Sequence, residues 1–230
     1  MPVVLIVAVI VSIVALFLRG FKFKDFKEQL SSENLETPSV KVWLVQSQPF
    51  PEKMQAYKAG VIGKKSGLGI YVIERNEQWY WVAGAYMTRD EADSVIQSHE
   101  ILANATSELF EIETKQIKIS ADAITICNSL FDAINAVIDI LLHLRTNFIN
   151  DIQDADLLIN LTDKYNIIKN KTEDLQKLNA TLKNQLIASI VYTANVNILG
   201  LQDVIFGNNQ ITLSTINTAL LNAIFSLDNF

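Results

Sequence analysis

Cysteine is almost missing from this chain: among 230 residues there is one, Cys127. An intramolecular disulfide framework is therefore excluded. Histidine occurs twice, as His99 and His143, and no Cys/His cluster has metal-ligand spacing. No metal and no cofactor are expected. Gly67-Leu68-Gly69 lacks the third glycine of a dinucleotide fingerprint and precedes a strand pattern rather than a helix. An excess of positive charge is also missing. The net charge is −6 and no basic stripe exists, so nucleic acid is not an expected partner. Candidate catalytic groups are scarce. Cys127 lies in the apolar run ITIC and reads as a small buried hydrophobe. His143 stands between Leu142 and Leu144 and reads as structural. Asp151, Asp154 and Asp156 cluster where a helix should begin, which suits capping and dipole partners. No amidase, glycosidase or peptidase constellation is visible, so no catalysis is expected. Proline vanishes after Pro51, and residues 101–230 hold only two glycines, Gly200 and Gly207. Long helices can run there without a breaker.

What the chain does have is apolar content, at half of all residues and a mean hydropathy of +0.22. Val3–Leu18 is an apolar run broken only by Ser12. Extended through Phe21, with Arg19 snorkelling, it suits a single membrane-spanning anchor over residues 1–21. No A-x-A-like cleavage site follows, so the anchor is expected to be retained. Residues 22–39 are charged and polar and read as a linker. Phe21, Phe23 and Phe26 among its lysines suit the headgroup level. Arg19, Lys22, Lys24 and Lys27 follow the span, and by charge alone they favour a cytoplasmic body.

Residues 40–119 alternate strand and helix signals. Val40–Ser47 reads as a strand that Pro49 and Pro51 stop. Glu52–Ser66 reads as a helix with Met54, Tyr57, Val61 and Ile62 as its apolar face. Ile70–Glu74 and Gln78–Ala85 read as strands joined through Arg75-Asn76-Glu77. Thr88 followed by Glu91 is a capping-box start for a second helix, and Leu109–Ile119 supplies a fourth strand. The predicted class is α+β: a split-βαβ (ferredoxin-like) antiparallel sheet with helices on one face. Side chains alternate along strands, so Leu44 and Gln46 share a face, as do Gln78, Tyr80 and Val82. Trp43, Val45, Trp81 and Ala83 are assigned to the helix-covered face. Both faces are unusually apolar for a sheet covered on one side only.

The order Val45-Gln46…Phe50, then Tyr80…Val82…Gly84…Tyr86, then Thr88…Ala92 resembles the SPOR (sporulation-related repeat) domain. Two departures stand out: Gln48 replaces a small residue after the first strand, and Pro49 follows it. The resemblance covers roughly a quarter of the chain. It implies binding of septal peptidoglycan, preferring glycan strands stripped of their peptide stems. Beside that resemblance, the strand face left uncovered by the helices offers the expected ligand-binding set, Gln46, Gln78, Tyr80, Val82 and Leu44, with Phe50 from the resembling motif. Aromatic rings with amide groups suit a sugar chain, the rings covering its apolar faces and the amides meeting its hydroxyls. It also implies an extracytoplasmic body, against the charge asymmetry at the anchor. The layout is similar to that of sporulation proteins of low-GC Gram-positive bacteria.

Residues 120–230 read as an all-α bundle or coiled-coil module. One helix is expected from Ser120 to Asn150 and a shorter one over Asp151–Asn170. The clearest pattern runs Leu175, Leu178, Leu182, Leu186, Ile190, Ala194, Ile198, Leu201, Ile205 and predicts one continuous helix. Ile211–Leu227 is the last. The apolar surplus there points to a homo-oligomer or a helical protein partner. The rival function class is a membrane-anchored helical scaffold without glycan affinity.

Overall fold

A computed structural model describes residues 32–152, 154–207 and 211–228. The expected anchor at 1–21 and the linker up to residue 31 lie outside them. Among the described residues the fold is α+β, with six strands and six helices. Strand β1 is Ser32–Glu36, β2 Val40–Gln46, β3 Tyr71–Arg75, β4 Gln78–Tyr86, β5 Thr106–Ile112 and β6 Gln116–Ser120. Helix α1 is Lys53–Lys64, α2 Arg89–Ser98, α3 Ala121–Ile149, α4 Ala155–Leu182, α5 Gln185–Ile205 and α6 Leu213–Leu227.

The main sheet has the order β3-β4-β2-β5, and every pair in it is antiparallel. Asn76 and Glu77 both have positive φ (51° and 61°) and make the tight β3–β4 turn. That leaves Arg75 in the strand, opposite Gln78. A bulge sets Val45 opposite Gly84 but Gln46 opposite Val82. Thr88 and Glu91 form the expected capping box of α2. The remaining strands pair apart: β1 lies antiparallel to β6, against α3. The expected linker therefore ends in a strand, and the expected strand Leu109–Ile119 is two. Leu35 and Ile119 explain why, since both are buried beside α3 while their polar neighbours face out.

Both faces of the main sheet are covered. Val45, Trp81, Ala83 and Tyr86 pack with Ala56 of α1, Ala92 of α2 and Leu102. Val42, Leu44, Val82 and Ala85 join a second core that runs into Leu130, Ile134 and Leu141 of α3 and Ile216, Leu220 and Ile224 of α6. The Tyr71 ring stacks on Phe225 at 4.4 Å. Ser214 donates to the Leu68 carbonyl, Asn217 to that of Gly67, and the Ile70 amide to the Thr218 hydroxyl. Residues 40–119 and 120–230 thus share one core. Helix α3 is long and apolar enough to cross a membrane, but 44% of its most apolar window is buried inside the protein.

Three helices differ from expectation, the first being α4, expected over Asp151–Asn170 but observed from Ala155 on to Leu182. In α1 the inward residues are Ala56, Gly60 and Gly63, whereas Met54, Tyr57, Val61 and Ile62 face out. The cause is Trp81. A Cβ on Gly63 would lie 2.3 Å from its ring, so only small residues fit between helix and sheet. The single helix expected through Leu175–Ile205 breaks at Lys183, which is left-handed (φ 52°), and the Asn184 side chain caps α5 through the amides of Leu186 and Ile187. The apolar spacing runs on because both helices face the same core.

Candidate functional site at the uncovered end of the sheet

The α3–α6 layer does not reach the far end of the sheet. There the same face continues into Gln46, Arg75, Gln78, Tyr80 and Glu108, all exposed or half-buried. Strand alternation and the β2–β4 bulge bring them to one side. Gln46 ends β2, Arg75 ends β3, Gln78 and Tyr80 open β4, and Glu108 belongs to β5. Arg75 Nη1 donates to Glu108 Oε2 at 2.6 Å and Gln46 Nε2 donates to the same oxygen at 2.8 Å. Arg75 also reaches Gln46 Oε1 at 3.4 Å, and the Tyr80 hydroxyl donates to Gln78 Oε1 at 3.3 Å.

This end carries an aromatic ring, two carboxamides, a guanidinium and a carboxylate. The Arg75 and Glu108 side chains are 33% and 46% exposed, so their pairing is worth little in water and can exchange for a ligand's groups. The amides offer donors and acceptors to hydroxyls and acetamido groups, and Arg75 can pair with an acid.

Of the six expected binding residues, the structure brings together Gln46, Gln78 and Tyr80. Leu44 and Val82 lie on the same face but are 0% exposed beneath the helices, so they present no surface to a ligand. Phe50 belongs to the opposite side. It exchanges backbone hydrogen bonds with Trp79 and packs on the core under α1 and α2. Sequence reasoning missed Arg75 and Glu108. A two-residue Asn-Glu turn would have placed Arg75 in β3, and an earlier start of β5 would have placed Glu108.

At the other end Arg145 of α3 ties the two layers. Its side chain is 3% exposed. Nη1 donates to the Ala85 carbonyl, Nη2 lies 3.7 Å from the Glu91 carboxylate, and the guanidinium lies 4.3 Å over the Tyr86 ring. Burial lowers the Arg145 pKa and pushes the Tyr86 phenol up to about 12. A cavity of about 440 Å³ opens beside this joint, lined among others by Tyr86, Glu91, His99, Arg145 and Asn217. No family model, curated protein or solved structure matches the chain.

Proposed function

We propose that the chain is a membrane-anchored, non-catalytic binding protein whose uncovered sheet end takes glycan strands, preferring peptidoglycan stripped of its peptides at the septum. The ligand class rests on the SPOR-like residues Gln46, Tyr80, Val82, Gly84, Tyr86, Thr88 and Ala92. The strand order β3-β4-β2-β5 with α1 and α2 on one face supports the split-βαβ reading of that stretch. The observation that carries the proposal is the half-exposed Tyr80 ring flanked by Gln46, Gln78 and Arg75. A stripped strand bears a free carboxylate on each muramic acid, and Arg75 is the cation available to it. The body lies outside the cytoplasm in this reading.

The test is sedimentation of the detergent-solubilised full chain with cell-wall sacculi, before and after an amidase removes the stems. Stronger pelleting with stripped sacculi supports the reading; equal or absent pelleting with both sinks it. The isolated 40–119 stretch is unsuitable, because Val42, Leu44 and Val82 would lose their helical cover.

A second reading has its own observation. Tyr192, Leu199 and Phe206 of the α5 region are 64%, 65% and 57% exposed and stand seven residues apart. That is the seam of a helix awaiting another helix. In this reading the chain is a scaffold, and full-length assemblies grow with concentration while sacculi are ignored.

A further inference from the structure

Helix α1 is amphipathic in reverse. Its core-facing positions are Ala56, Gly60 and Gly63, and its large apolar residues point outward. Met54, Tyr57, Val61 and Ile62 are 58%, 49%, 41% and 59% exposed. With Lys58 and Lys65 they follow the spacing i, i+3, i+4, i+7, i+8, i+11, one continuous stripe. Lys53 and Lys64 border it, and all four lysines are exposed. From Lys53 to Ile73 there is no Asp or Glu, in a chain whose net charge is −6. The chain's own helical layer lies on the opposite face of the sheet, so it cannot cover this stripe.

We propose that the outer face of α1 lies on an acidic phospholipid surface. The helix plane would rest at the headgroup level, with Met54, Val61 and Ile62 entering the acyl boundary and Tyr57 at the interface. Lys58 and Lys65 would bury their stems and keep their ammonium groups among lipid phosphates. The cations and the exposed apolar residues occupy one face, and an acidic bilayer satisfies both. This assignment stands apart from the N-terminal anchor: the anchor needs only an apolar interior, whereas α1 needs surface charge.

A nitroxide at Tyr57→Cys in the full chain reads the contact. Cys127 is buried and burial pushes its thiol up to about 12, so the label goes to the new site. A label at Gln176→Cys, exposed on α4, is the control. The chain is mixed with vesicles of phosphatidylcholine alone or with added phosphatidylglycerol. The expected result is that label 57, unlike label 176, loses collisions with a water-soluble nickel chelate and gains collisions with oxygen only when phosphatidylglycerol is present. Lys58→Gln with Lys65→Gln should weaken that contact by about 25-fold, at about fivefold per lysine. An unchanged label 57 in both vesicle types overturns the proposal, as does equal burial in both. Spin–spin broadening at 57 without lipid would also overturn it, assigning the stripe to a second copy of the chain. Flotation with pure phosphatidylcholine reports the N-terminal run separately, so failure of the anchor and failure of the α1 contact are told apart.

Discussion

The two faces of the four-stranded sheet are both buried, and they are buried by different means. On one, the glycines of α1 come down on Trp81, whose indole fills the space between that helix and the sheet, while Ala92 of α2 joins a core with Val45, Tyr86 and Leu102. On the other, α3 and α6 meet small and medium aliphatics such as Val42, Leu44 and Val82 with leucines and isoleucines of their own. The first face is narrow, and α1 spends its large apolar residues outward, while Val95 and Ile96 of α2 pack inward. The second is broad and takes in the helical layer. A face closed by one ring tolerates no added atom near it. A face closed by many aliphatics tolerates reshaping but not charge.

Leu44→Asp breaks the comparison hardest. Leu44 is 0% exposed between the sheet and the helical layer. An unpaired carboxylate there should cost more than about 4 kcal/mol, a large share of a typical domain's stability. Were the face open, the same change would fall within about 0.5 kcal/mol. Urea unfolding of the full chain in mild detergent separates these outcomes. Val45→Asp, on the opposite face, should cost a similar amount.

Alkaline pH probes the joint between the layers. The Tyr86 phenol titrates at about 12 in the fold against 10.0 in the free side chain, because burial disfavours the phenolate. A folded pKa above the unfolded one means the contribution is complete below pH 10 and lost as pH rises to 12. The loss should reach about 2–3 kcal/mol. Tyr86→Phe should flatten that limb of a melting-temperature profile taken from pH 9 upward. A profile unchanged by the substitution would show that the phenol is not held neutral by its surroundings.

Gly63→Ala tests the narrow face. The added methyl meets the Trp81 ring at 2.3 Å, so helix or ring must move. Overpacking of this kind costs about 1–3 kcal/mol. The double change Gly63→Ala with Trp81→Phe should recover part of the loss, because the smaller ring vacates the clash. No recovery would mean that the glycine is needed for some reason other than the indole.

These contrasts explain what could be read from residues alone. Strand β4, the Thr88–Glu91 cap and the last helix were legible because each carries a strong local signal: consecutive aromatics, a capping box, an unbroken apolar spacing. The covering of both faces was half-legible. The apolar excess on Val42, Leu44 and Val82 was visible, but nothing local says that a helical layer far along the chain lies over it. The reversal of α1 was not legible, since Met54, Tyr57, Val61 and Ile62 satisfy the same periodicity as a buried face. Only the size of Trp81, a residue far along the chain, decides that the small side goes inward. Strand β1 hid in SENLE, where one leucine carries the core contact. At the candidate site, Gln46, Gln78 and Tyr80 followed from alternation, whereas Arg75 and Glu108 depended on strand ends, which alternation does not fix.

The smallest expected change in stability is at Tyr80, and it is the most informative about function. Tyr80 shares its face with Leu44 and Val82 but lies past the edge of the helical layer, half-exposed, with only a 3.3 Å hydrogen bond to Gln78. Tyr80→Ala should shift unfolding by no more than about 1 kcal/mol, against more than about 4 for Leu44→Asp on the same face. In sacculus pelleting, Tyr80→Ala and Gln46→Ala should each abolish retention on stripped glycan while leaving the melting curve close to the parent's. Arg75→Gln should remove the preference for stripped over intact strands, because the amide can still hydrogen-bond but no longer carries charge to meet a free carboxylate. Parent-like pelleting by both alanine variants would mean that the uncovered end is only a solvated margin of the sheet. The exposed seam of Tyr192, Leu199 and Phe206 would then be the surface to follow.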